Sequence, residues 1–179
     1  MFKQKHMKKS IVNFFLRVVV LLISFSSYSQ SNFSSKLIGL GVVVSNLDKS
    51  LDFYVDGIGM VKTGGFNINE DFAKRSGLSN GVPFSVTVLK LENSPDANEW
   101  KLISFGKKPT HPKQNFIQDD AGVQYITINV KALKPIIERL KRKNIALLGS
   151  TPTSLNGNTQ FAFVQDPDGT FIELIGPME

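Results

Sequence analysis

Two stretches of this chain read alike, and that likeness leaves few folds open. "LIGLGVVVSNLDKSLDFYVDGIGM" (37–60) opens on a Val- and Leu-rich run, 38–44, which reads as a buried strand. Asn46 or Asp48 can cap the helix that follows, which carries Leu51, Phe53, Tyr54 and Val55 and is stopped by Gly57 and Gly59. "GVQYITINVKALKPIIERLKRKNIALLG" (122–149) repeats the order. A strand over 125–130 leads to a helix with Pro135 in its first turn, an apolar face of Ile136, Ile137 and Leu140, and Asn144 at its end. Three strand-like segments follow each helix, at 60–66, 84–91 and 100–105, and at 146–148, 160–165 and 170–175. "NEDFAKRSGL" reads as a short helix stopped by Gly77. A strand–helix–three-strand unit written twice predicts an α+β fold of two βαβββ modules, 37–105 and 123–177. The loop between them, 106–122, is rich in proline and charge and has no period, as in a linker or binding loop.

The formal charge of +6 does not describe the body of the chain. Lys3, Lys5, Lys8, Lys9 and Arg17 fall in the first 29 residues, where there is no acid. Without these five, 16 Lys and Arg face 15 Asp and Glu. Nucleic-acid binding thereby loses its usual electrostatic footprint. The basic start precedes the apolar "VVVLLISF", and Ser27 and Ser29 form a small-x-small pair, the pattern of a secretory signal cut after Ser29. The apolar run is much shorter than the roughly 20 residues of a spanning helix; the alternative is an uncleaved anchor. The expectation is a signal peptide at 1–29 and one exported domain at 30–179, periplasmic or extracellular, with no stable membrane insertion after cleavage. With no cysteine, disulfides, thiolate metal sites and a cysteine nucleophile are excluded.

"VSNLDKSLDFYVDGIGM" after the first strand and "DPDGTFIEL" near the end, in this order on paired modules, resemble the vicinal-oxygen-chelate superfamily of glyoxalase, bleomycin-resistance and extradiol-dioxygenase proteins. The resemblance spans 37–177. It implies curled mixed sheets around one cup-shaped cavity that binds a small molecule, in many members with a divalent metal held by four strands. Carried onto this sequence, the four metal positions are Gly39, Lys101, Tyr125 and Glu173. Only Glu173 agrees with the pattern. Glycine offers no ligand, and a protonated lysine repels a dication. Transition metals in such sites need imidazole or carboxylate ligands, and the one histidine beyond the signal, His111, belongs to the loop. No metal and no cofactor is expected.

Alternation along the strands assigns the cup-facing side chains. Tyr125, Thr127 and Asn129 oppose a face of Ile126, Ile128 and Val130. Phe171, Glu173 and Ile175 face the cup in the last strand, Lys101, Ile103 and Phe105 in the fourth, and Gly39, Gly41 and Val43 in the first. The candidate ligand contacts are Lys101, Tyr125, Thr127, Asn129, Glu173, Phe105 and Phe171, and no catalytic residue is assigned. Lys101 and Glu173, opposite in charge, are expected to pair across the cup. Phe53 and Tyr54 read as core, and 166–169 as a structural turn. The leading reading is an exported protein that binds a small, partly apolar molecule in a metal-free cup. The alternative is a lyase, isomerase or dioxygenase-like enzyme using Lys101 and Glu173 or an unrecognised metal. A homodimer is compatible with either.

Overall fold

The computed structural model describes residues 32–107 and 112–179. The expected signal peptide, 1–29, its cleavage site and His111 lie outside the described residues. Two units separate at Lys36. The described part of the first, 32–36, holds no helix or strand. Everything below concerns the second, Leu37–Glu179.

Each half has the expected order. The first contains β1 (Gly39–Val43), α1 (Leu47–Leu51), β2 (Val61–Ile68), α2 (Glu70–Ser76), β3 (Phe84–Lys90) and β4 (Glu99–Ser104). The second contains β5 (Tyr125–Asn129), α3 (Lys134–Arg142), β6 (Thr153–Asn156), β7 (Thr159–Gln165) and β8 (Phe171–Gly176). They form two four-stranded sheets, ordered β1-β4-β3-β2 and β5-β8-β7-β6. The first strand of each module runs parallel to the last, the other pairs antiparallel. A parallel pair requires a crossover, which the helix and intervening strands supply. This is the tandem α+β architecture that the duplicated pattern implies.

The local signals act through named groups. The Asn46 side chain accepts the Lys49 N–H at 3.0 Å and caps α1. The helix widens directly into π-helical turns over Asp52–Ile58, closed by Gly59 at φ 103°. Asn69 caps α2, accepting the Phe72 N–H at 2.8 Å, and Gly77 ends it in the left-handed region. Proline occupies the first turn of α3.

One strand is displaced from its expected place. Residues 146–148 are not a strand; the strand beside β7 is β6, Thr153–Asn156. The apolar "ALL" suggested the strand, but the determining signal is "NGN". Asn156 pairs with Thr159 across Gly157 and Asn158, a two-residue hairpin loop that Gly157 enters at φ 50°. Leu148 keeps a single bond to the sheet, donating its N–H to the Phe163 carbonyl at 2.7 Å.

The main core lies between the helix-bearing faces of the two sheets. Phe53, Tyr54, Leu89, Trp100 and Leu102 join Ile128, Leu140, Val164, Ile172 and Leu174 in one buried cluster. A seam of polar contacts closes it. Arg139 donates to the Gly57 and Ile58 carbonyls at 2.9 and 2.8 Å, satisfying acceptors that the helix end leaves open. Lys143 reaches Asp52 at 2.5 Å. Gly57 allows the close approach, since a Cβ there would stand 3.3 Å from Leu140.

Candidate functional site

With α1, its π-helical continuation and α3 packed in the main core, each sheet has a far face turned away from that core. On the second sheet, Tyr125, Thr127 and Asn129 form an exposed polar row on β5, opposite the half-buried or buried Ile126 and Ile128. Thr127 and Glu173 are register partners across β5 and β8. The Thr127 hydroxyl donates a short hydrogen bond to the Glu173 carboxylate. That bond answers why an otherwise apolar strand tolerates the acid: its charge is partly exposed and has a donor on the neighbouring strand.

Beside this row runs an aromatic floor. Phe171 stacks on Phe163 with centroids 5.1 Å apart and planes at 5°, and Phe163 meets Phe161 at 5.6 Å. Phe171, expected as a ligand contact, is fully buried. It supports the floor, while the half-buried Phe161 and Phe163 present its accessible part. These two were missed, although the alternation in "QFAFVQ" places them on the face of Glu173. Polar groups beside an apolar floor suit a small, partly apolar molecule.

The corresponding face of the first sheet differs. Lys101 is ion-paired with Glu99 at 3.0 Å, both side chains about a third exposed (34% and 40%). The expected Lys101–Glu173 pair does not form within the chain. Glu99 lies two residues from Lys101 on the same strand face and meets its charge locally, whereas Glu173 bonds to Thr127 on the other sheet. The lysine folds back over β1: a Cβ on Gly39 would stand 3.1 Å from the Lys101 ammonium, and one on Gly41 3.0 Å from Ile103. Phe105 lies just beyond β4 and packs into a cluster with Ala73 of α2, Phe84, Val86 and Val88, its ring 4.9 Å from Phe84. It is a packing residue here.

These positions decide the fit of a divalent metal. The space a first-strand side chain would need at Gly39 is taken by a cationic ammonium already neutralised by Glu99. Tyr125 offers only a phenol, and Glu173 is bonded to Thr127. Among the described residues no three His, Asp or Glu side chains converge. This donor set does not fit a metal of the kind bound through imidazoles and carboxylates.

The turn before β8 joins the modules. Asp166 accepts the Tyr54 hydroxyl at 2.7 Å and the backbone N–H groups of Asp168 and Thr170 at 2.9 and 2.8 Å. Asp168 accepts the Ser45 N–H at 3.1 Å. Burial raises the Asp166 carboxyl above its ordinary 3.8, opposed by the three hydrogen bonds it accepts. Burial, then the neighbouring Asp166 charge, pushes the Tyr54 phenol well above 10.0, with the Trp100 N–H acting in the opposite sense. The turn is structural, as its residue types suggest, and Tyr54 and Phe53 are core.

Residues 36–174 match the Glyoxalase/Bleomycin resistance protein/Dioxygenase superfamily, and the chain belongs to that family. It is 30% identical over 132 residues to lactoylglutathione lyases of two Neisseria meningitidis strains, an alignment covering 74% of this chain and 83% of theirs. A glyoxalase family protein from Bacillus cereus shares the fold with a TM-score of 0.66 at 18% identity, over 84% of this chain and 99% of that one. Glyoxalase I of Leishmania major shares it at 0.56 and 19%, over 80% and 87%. Among the described residues no helix is long and apolar enough to cross a membrane.

Proposed function

We propose that this chain is an exported member of the superfamily that binds a small, partly apolar molecule without a metal. One observation carries the reading: the Lys101 ammonium, held by Glu99, fills the space over Gly39 from which the resemblance would bring the first metal ligand. The ligand lies against the far face of the second sheet. It meets the Phe161–Phe163 floor with its apolar part and Tyr125, Thr127, Asn129 and Glu173 with its polar part. The basic-then-apolar N-terminus supports export, with the mature chain starting near Gln30. Gly39, Gly41, Val43, Tyr125 and Thr127 are exposed in the single chain, and both β1 and β5 are unpaired sheet edges. This supports closure of the cup by a second copy of the chain.

The test is direct. Zinc, nickel, manganese or iron added to the purified protein should produce no saturable rise in melting temperature, because only a ligand of the folded state stabilises it. A saturable rise with one metal, lost in Glu173→Ala, refutes the metal-free reading. Mass spectrometry of molecules retained through purification identifies the ligand, and sedimentation gives the oligomeric state. The 30% identity to lactoylglutathione lyases favours a second reading, an enzyme of that type. Turnover of lactoylglutathione abolished by Lys101→Met or Glu173→Gln would establish it.

A further inference from the structure

Thr127, Glu173 and Phe163 form one row across β5, β8 and β7, each the register partner of the next. Asn129, Ile175 and Phe161 form the row beside it. Directly paired residues of neighbouring strands share one side of a sheet, so the Glu173 side chain stands between a hydroxyl on one flank and the aromatic floor on the other. It is half-buried. The four strands of this sheet carry no Lys, Arg or His, and Glu173 is their one acid. Among the described residues it has no ion pair, and the Thr127 hydroxyl, on Oε2, is its one hydrogen-bond donor. Lys101, the cation expected beside it, is held by Glu99 on the other sheet.

A molecule lying on the Phe161–Phe163 floor takes water away from this carboxylate. A carboxylate desolvated with a single hydroxyl beside it is costly, so the molecule has to bring the compensating charge itself. A divalent metal needs several converging carboxylates or imidazoles, and this face offers one. An organic ammonium needs only one carboxylate, with neutral acceptors for its remaining N–H groups. We infer that the ligand of the far face is an amine, its cationic head on Glu173 Oε1 and its apolar body across Phe161, Phe163 and Ile175. This rests on the far-face site proposed above and names the charge its occupant carries. Asn129, in the adjoining row, offers an amide oxygen to a second N–H of the head. A neutral molecule leaves the carboxylate uncompensated, and an anion is repelled by it.

Cyclohexylmethylamine, cyclohexylmethanol and cyclohexanecarboxylate are close in shape and are cationic, neutral and anionic at neutral pH. Titrated into the full chain, the amine should raise the melting temperature saturably and bind about tenfold tighter than the alcohol, with the carboxylate weakest. Glu173→Gln keeps an acceptor for the Thr127 hydroxyl and should bring the amine to the level of the alcohol. Tyr125→Lys, at a position 44% exposed, sets a cation near Glu173 and should weaken the amine while strengthening the carboxylate. Phe161→Ala should weaken all three molecules alike. If the alcohol or the carboxylate binds as tightly as the amine and loses affinity in Phe161→Ala, the far-face site stands and the amine assignment falls. An amine preference that survives both Glu173→Gln and Tyr125→Lys overturns the assignment too. If none of the three binds, or binding ignores Phe161→Ala, the far-face reading falls and the assignment with it.

Discussion

The connection from β2 to β3 runs from 69 to 83 and folds α2 back over the sheet, whereas β6 turns into β7 through Gly157 and Asn158 alone. Two modules of the same topology therefore end with unlike far faces. The first packs its own Ala73, Phe84, Val86 and Val88 into a small second core. The second leaves a polar row and an aromatic floor accessible. The two copies of the unit thus differ by connection length: one fills its far face with its own chain, and the other leaves that face open.

The sharpest way to break this comparison is to truncate one residue on each far face. Phe84→Ala should cost about 3 kcal/mol, the expectation for a large aromatic removed from a packed cluster. Tyr125→Ala, at 44% exposure, should cost less than about 1 kcal/mol. Urea denaturation of both variants measures the difference. Equal costs would mean that the second face is as filled as the first.

Next in size is the contact between modules. Tyr54→Phe removes the donor to a buried carboxylate and should cost about 1–3 kcal/mol. It should also raise the Asp166 carboxyl further, since the Tyr54 bond is the largest influence holding it down. Asp166 itself predicts a pH effect. Its folded value is raised, so the folded chain takes up the proton before the unfolded chain as pH falls. Its favourable contribution is complete below about 3.8 and is lost as pH rises through the raised value. Asp166→Asn should flatten stability across that window in melts run at stepped pH. A wild-type profile in which this residue instead gains stability as pH rises would contradict the burial argument.

The smallest effect concerns Lys101. Half-exposed ion pairs contribute little, so Lys101→Met should cost under about 1 kcal/mol. A double-mutant cycle of Lys101→Met with Glu173→Gln, run at concentrations where the chain is monomeric, should give a coupling near zero. Clear coupling there would restore the pair that the geometry separates.

How much of this could be read from the residues varies with the range of the interaction. The strand–helix–strand order, a first-helix cap at Asn46 or Asp48, the stop at Gly77 and the core roles of Phe53 and Tyr54 follow from neighbours a few positions apart. The face shared by Tyr125, Thr127 and Asn129 follows from strand period. The bond from Thr127 to Glu173 depends on a parallel register across 46 residues, and Tyr54 to Asp166 on contact across 112. Neither leaves a local trace. The Lys101–Glu99 pair does: the same period-two rule places both on one strand face, two residues apart. The place of β6 is local too, since the Asn-Gly turn at Asn156–Gly157 fixes it where the apolarity of "ALL" does not make a strand.

The seam through Arg139, Lys143 and Gly57 has a consequence for how such a protein can be retuned. It joins the two modules through groups on their helices: Arg139 and Lys143 of the second hold Gly57, Ile58 and Asp52 of the first. Enlarging one residue there, such as Gly57, where added bulk meets Leu140, should shift one module against the other. The fit of whatever molecule binds on either face is then open to change through residues that never meet it.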